Sequence, residues 1–294
     1  MSKQANIIIA GCGYIGKLLA AELLDLQHQV IGLVSSAASM QHCEARGIDC
    51  RQLDFDDLSS LQQALPDCQA RRIIYLAPPP GAGQVDSRLQ NFLTALGDSL
   101  PEKFVLISTT GVYGDCGGRW VDEQTPINPR VDRARRRADA ERQAQALCQA
   151  RNIPLVILRV PGIYGAGKLP LARIESGAPI VNQQDSPYTN RIHAYDLVSI
   201  CRIALLDERI TGIYNCSDGQ PGTMYEYFIK VADAAGLPRP PAITLQQAQQ
   251  QLSAGMLSYM AESRRIGNAR LLRDFGIKLQ YPDLDAGLQA KPRG

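Results

Sequence analysis

Gly11, Gly13 and Gly16 fall in the run GCGYIG, a Gly-x-Gly-x-x-Gly spacing that follows the apolar segment NIIIA and opens the stretch YIGKLLAAELL. In that setting each glycine has a task. Gly11 permits a tight turn, Gly13 lets the backbone approach a pyrophosphate, and Gly16 lets the helix pack against the sheet. The helix N-terminus adds N–H donors and a partial positive charge for phosphates. The chemistry this implies is dinucleotide binding, with Cys12, Tyr14 and Ile15 in the same cofactor loop; Cys12 also reads as a small residue tolerated in the turn. The next strand ends Leu33-Val34-Ser35-Ser36, and the nearest downstream carboxylate is Glu44. No acid stands where one would hold the ribose 2′-hydroxyl of NAD, whereas Ser35 and Ser36 can donate to a 2′-phosphate. NADP is therefore preferred over NAD as the cofactor, although no arginine stands at the strand end and Arg46 is distant. Asp54, after the third strand, either accepts from the adenine amino group or caps the helix that starts near Asp57.

A second cluster is Arg133-Ala-Arg135-Arg136-Arg137. On a helix, Arg135 and Asp139, and Arg137 and Glu141, stand four residues apart and can pair along a solvated face. Alternatively Arg133 and Arg137 point into a cleft, where a guanidinium suits bidentate recognition of a carboxylate or phosphate. For Arg137 the two readings are balanced; Arg135 and Arg136 are placed at the surface.

The elements that must position these groups alternate. Strands are expected at 6–10, 29–34, 48–53, 72–76, 103–107 and 154–159, with helices at 14–26, 37–46, 57–65, 85–99 and 131–151. Strand–helix alternation of this kind gives parallel strands joined by right-handed crossovers, and the apolar strands suit a sheet covered on both faces. Beyond residue 160 proline and glycine become frequent, and helices are expected at 194–207, 222–236 and 257–274, with a turn and a polar helix in LPRPPAITLQQAQQQL. The expected architecture is α/β: a Rossmann-type doubly wound parallel sheet over residues 1–160, and a smaller C-terminal substrate-binding lobe over 161–294 with some segments returning to the sheet.

The 294 residues include 45% hydrophobic and 20% charged residues, with a net charge of +2. That is ordinary globular composition, and the small charge gives no reason to expect a nucleic-acid or membrane partner. No apolar run approaches the ~20 residues of a membrane span, and the segment ahead of the glycine loop is too short for a signal peptide. Eight cysteines occur without a C-x-x-C pair, which suggests a reducing cytoplasm and no metal site.

Together these landmarks resemble the extended and atypical short-chain dehydrogenase/reductases, the NAD-dependent epimerase/dehydratase group. The likeness spans at least residues 5–216 and is carried by GCGYIG, Leu53-Asp54, YLAPP at 75–79, ISTTGVYG at 107–114, RVPGIYGAG at 159–167, RIHAYDL at 191–197 and YNCSD at 214–218. The resemblance implies that Asp54 binds adenine and that the backbone at Ala77 passes the cofactor ribose. It implies that Thr109 hydrogen-bonds the substrate hydroxyl or carbonyl, and that Pro161, Gly162 and Ile163 form the loop beside the nicotinamide. His193 and Asp196 would help shape the substrate lobe, and nucleotide-sugars are the commonest substrates.

The departure lies in the proton-transfer pair. The family keeps Tyr-x-x-x-Lys on the helix after strand five, commonly with a glutamate four residues later. With Glu141 as that landmark, the two positions are Arg133 and Arg137. The literal match Tyr164-Gly-Ala-Gly-Lys168 holds two glycines and follows strand six, so it is set aside as a helical pair. Arginine is a poor proton donor. Tyr113 is then the first alternative acid, with Tyr164 and His193 as further groups near the substrate. Two functions follow: an NAD(P)-dependent oxidoreductase or epimerase/dehydratase-like enzyme of atypical mechanism acting on a small molecule, or a non-catalytic NAD(P)-binding sensor. Members of the superfamily are often dimers, which makes a homodimer a further expectation.

Overall fold

The computed structural model describes residues 4–290; the first three residues of the segment weighed as a leader lie outside them. Two compact units are built from interleaved segments. The first comprises Met1–Val112, Asp132–Arg159 and Leu197–Tyr214; the second comprises Tyr113–Val131, Val160–Asp196 and Asn215–Gly294.

The first unit holds the sheet. Its strands are β1 (Asn6–Ala10), β2 (Gln29–Val34), β3 (Asp49–Gln52), β4 (Arg72–Tyr75), β5 (Lys103–Thr109), β6 (Leu155–Val160) and β7 (Gly212–Asn215). They lie side by side in the order β7-β6-β5-β4-β1-β2-β3. β1 pairs in parallel with β2 on one side, Ala10 opposite Leu33, and with β4 on the other, Ala10 opposite Tyr75. The chain order thus reverses at β1, and a doubly wound sheet binds its ligand in the crevice at that switch point. Ile7, Ile8, Ile9 and Ala10 are all fully buried, because helices cover both faces of the strand.

The helices are α1 (Tyr14–Asp25), α2 (Ala37–Glu44), α3 (Leu58–Ala64), α4 (Ser87–Ala95), α5 (Asp132–Ala150) and α6 (Ala194–Leu206). Ser36, Asp57 and Asp86 cap α2, α3 and α4, each accepting from a first-turn N–H. The helix expected over 85–99 starts later for that reason: Asp86, with a non-helical ψ of 79°, is its cap. β7 lies outside the expected strands, since GIYN offers only four residues of pattern.

The second unit is made of short pairings. Gly162–Tyr164 runs parallel to Arg191–His193, Trp120–Val121 parallel to Arg265–Ile266, and Tyr188–Thr189 antiparallel to Gly222–Thr223. Thr223 and Glu226 form a reciprocal capping box on the helix Met224–Ala234, which satisfies two backbone donors at once. The single helix expected over 257–274 is two, Ala254–Met260 and Ala269–Phe275. Between them Arg265 donates its N–H to Arg119 and Gly267 to Val121, so sheet pairing with a distant segment overrides local helical periodicity.

Candidate functional site

The glycine loop turns between β1 and α1. Gly11 has φ of +88°, and a Cβ there would stand 2.4 Å from the Ala77 nitrogen. At Gly16 a Cβ would meet Ile9 Cγ2 at 3.1 Å and the Gly11 oxygen at 3.2 Å, so its smallness serves helix–sheet packing. Gly13 differs from both. A Cβ there would find nothing closer than the Gly11 oxygen at 4.0 Å among the described residues, so packing among them does not require this glycine. Gly13 starts α1 without a side-chain cap, and the first turn of that helix, which includes Tyr14, Ile15 and Gly16, carries no acid. That is a setting suited to an anion.

Beside the loop lies a cavity of about 120 Å³ lined by Gly11, Ser35, Asp54, Phe55, Ala77 and Arg88, among others. The carboxylate of Asp54 accepts from the Asp56 N–H at 2.9 Å, while Asp57 caps α3; the helix-cap reading of Asp54 is therefore replaced by Asp57, three residues on. Ser35 lines the cavity, but the Ser36 hydroxyl is engaged as the α2 cap, accepting from the Ser39 N–H at 3.2 Å. Cys12 is set apart from the cavity. Its N–H donates to Leu33 at 2.8 Å, and its thiol is buried 4.0 Å from that of Cys43; burial raises it above the ordinary thiol value. Sequence reasoning missed Arg88, which clamps Asp56 through Nε at 2.8 Å and Nη2 at 2.7 Å. A separation of 32 residues gives no local signal for that pair.

Arg133, Arg137 and Glu141 do lie on α5 at four-residue spacing, which aligns them on one face. The expected Arg137–Glu141 pair is not formed. Glu141 instead takes Arg159 on both oxygens, Nε to Oε1 at 3.1 Å and Nη2 to Oε2 at 2.7 Å, and accepts from the Ser108 hydroxyl at 2.6 Å. A bidentate partner from β6 outcompetes a helical neighbour. Arg137 donates through Nη1 to the carbonyl of Ala77, a residue of the cavity lining, at 3.4 Å. The Arg135–Asp139 pair is also replaced: Arg135 bonds Asp132 at 3.0 Å, and Asp139 accepts from Arg142, Gln143 and the Asp86 N–H. Arg136 is buried, not at the surface, donating to Gly83 at 2.6 Å. At the end of β5, Thr109 is half-buried and its hydroxyl oxygen accepts from the Gly111 N–H at 3.1 Å, which fixes its rotamer and leaves its proton to donate.

The acids proposed from the second unit are enclosed there. Tyr113 is 1% exposed and donates to Asn215 at 2.8 Å. Tyr164 is fully buried, donates to the Asp283 carbonyl at 2.9 Å, and burial raises its hydroxyl above the ordinary value. Its ring stands edge-on to His193 at 5.2 Å, and His193 in turn lies 3.9 Å from the ring of Tyr281. Tyr164, His193 and Tyr281 thus pack as one aromatic cluster, and Tyr113 is enclosed with its hydroxyl on Asn215. The stretch from Tyr164 to Lys168 is a strand end and a turn, not a helix. Pro161 and Ile163 are half-buried, with Ile163 opposite Ile192.

Asp218, the last residue of YNCSD, is buried, and its carboxyl is pushed up to about 7, first by burial. A carboxyl raised in the fold contributes most below its unfolded value and loses that contribution as pH rises through its folded value. The melting temperature of Asp218→Asn relative to the parent should therefore climb between about pH 4 and about pH 8; a pH-independent difference contradicts this.

A curated UDP-glucose epimerase of Bacillus subtilis (strain 168), YtcB, itself uncharacterised, is 27% identical over 191 residues, 56% of this chain and 58% of that protein. The match thus spans little more than half the length of that relative. A conserved protein of unknown function from Silicibacter pomeroyi DSS has a solved structure with a TM-score of 0.83 and 27% identity, covering 97% of both chains. The UDP-glucose 4-epimerase of Thermus thermophilus, solved in complex with NAD, superposes with a TM-score of 0.77 over 97% of both chains at 20% identity, a likeness of fold. The model of the NAD dependent epimerase/dehydratase family matches residues 7–217. A glycine loop at the sheet's switch point, a cavity beside it and that match over most of the sequence place the chain in the NAD dependent epimerase/dehydratase family.

Proposed function

We propose that the protein is an NAD(P)-dependent oxidoreductase of epimerase/dehydratase type, acting by an atypical mechanism on a small molecule that bears a hydroxyl or carbonyl group. The observation that carries this reading is Gly13: among the described residues a Cβ there would meet nothing nearer than the Gly11 oxygen at 4.0 Å, which leaves space for a ligand against the loop. The adjoining cavity has an acid, Asp54, for an adenine amino group and a hydroxyl, Ser35, for the ribose. Ser35 in place of an acid at the end of β2 supports NADP ahead of NAD.

The bound cofactor would supply hydride exchange with a substrate carbon. The chain's own part is to hold and orient. The first turn of α1 neutralises the pyrophosphate, and Thr109 donates its hydroxyl proton to a substrate oxygen and polarises it. Arg137, fixed on the Ala77 carbonyl, offers a permanent cation at the position where the family keeps its lysine. A homodimer is part of the same reading by family likeness.

The enclosure of Tyr113, Tyr164 and His193 favours a second reading, a cofactor-binding sensor without turnover. A screen of carbonyl compounds that follows oxidation of NADPH or NADH by its absorbance decides between the two. Turnover that falls in Thr109→Val supports the enzyme; cofactor binding without oxidation of any compound supports the sensor.

A further inference from the structure

A second cavity, of about 390 Å³, is formed wholly within the second unit. Two cations line it and both are engaged. The Arg191 guanidinium lies 4.0 Å from the centre of the Tyr227 ring and donates to the Asn190 carbonyl at 2.9 Å. Lys230 pairs with Asp285 at 2.6 Å.

The lining carboxylates outnumber these cations: Asp218, Glu226, Asp283 and Asp285. Glu226 is used by its helix, accepting from the Thr223 N–H at 2.7 Å, and Asp283 likewise accepts from the Ala286 N–H at 2.8 Å. Asp218 is the exception. It is 6% exposed, and one oxygen accepts from the Gln220 N–H at 2.9 Å. The other, Oδ2, is buried without a hydrogen-bond partner among the described residues. A buried acceptor left in that state is costly unless something completes it. Burial is the main cause that raises its carboxyl; the Gln220 N–H and Arg191 lower it, and Asp283 and Asp196 raise it by less.

We propose that this cavity binds a small amine-bearing polyol, whose ammonium group donates to Asp218 Oδ2. An ammonium supplies the missing donor, and its charge suits a lining with four carboxylates and two cations. A diphosphate would instead face four carboxylates against two cations already engaged. The volume falls in the range of small-ligand pockets, about 300–1,000 Å³, and Thr189 and Gln220 on the walls can meet hydroxyl groups. The assignment concerns binding within the second unit and stands apart from the function proposed above.

The test titrates the full chain with D-glucosamine, N-acetyl-D-glucosamine, D-glucose and UDP by saturation-transfer NMR, on the parent and on Asp218→Asn. Glucosamine should bind about tenfold more tightly than the two uncharged sugars, and Asp218→Asn should remove that preference. The acetylated probe deletes the charge without touching the protein, so the comparison holds even where the variant folds poorly. Equal binding of the three sugars, no sugar binding, or UDP binding that tightens in Asp218→Asn overturns the proposal. A thermal shift with NAD(P)H is read separately: its failure alone sinks the functional reading and leaves the site, whereas loss of the glucosamine preference alone sinks the site.

Discussion

Replacing Glu141 with alanine is expected to destabilise the protein by about 3–5 kcal/mol, the cost of stranding a buried charge. Arg159 and Glu141 have side-chain exposures of 5% and 3%, so water cannot replace the lost partner. The Ser108 hydroxyl loses its acceptor in the same substitution. Glu141→Gln keeps the shape and one acceptor, so it should cost clearly less. Urea denaturation measures both, and a loss below about 1 kcal/mol for the alanine variant would mean that the network is no more than a surface pair. The network ties α5 to β5 and β6, and so fixes the helix face on which Arg133 and Arg137 stand.

Gly11→Ala should be comparably damaging for a different reason. An alanine at φ of +88° carries backbone strain of about 1–3 kcal/mol. Its Cβ would also fall 2.4 Å from the Ala77 nitrogen and 2.6 Å from the Ala77 Cα. Both are backbone atoms of the segment after β4, which cannot rotate away, and relief by displacement adds about 1–3 kcal/mol. The shift would open the β1–β4 switch point and distort the cavity wall at Ala77. Thermal melts should show a lowered transition and loss of any cofactor-induced shift. An unchanged melting temperature would contradict the close approach.

The first unit was legible because its signals are local. β2 lies at 29–34 and α1 begins at Tyr14, as apolar runs and the glycine turn require. Other features depend on partners far along the chain. Arg265–Ile266 breaks an expected helix by pairing with Trp120–Val121. Glu141 chose Arg159 over a helical neighbour because a bidentate clamp in a dry interior outweighs a solvated pair. Tyr113, Tyr164 and His193 have side chains suited to catalysis and are buried, and burial is not written in residue type. Arg88 joined the cavity through Asp56, a contact without any sequence signature. The Asp54 alternatives separated once Asp57 proved to be the helix cap.

The central claim is that Gly13 is kept bare for a dinucleotide, and one comparison tests it. Thermal shifts with NADPH, NADP, NADH and NAD are measured on the parent and on Gly13→Ala. Without ligand the two should melt alike, since a Cβ at this position meets no protein atom within 4.0 Å other than the Gly11 oxygen. With ligand the parent should gain about 2.7 kcal/mol at 100 times the dissociation constant, more readily with NADP(H), and the variant should gain little or nothing. Equal ligand-induced shifts in both proteins, or no shift in the parent with any of the four, would contradict the account.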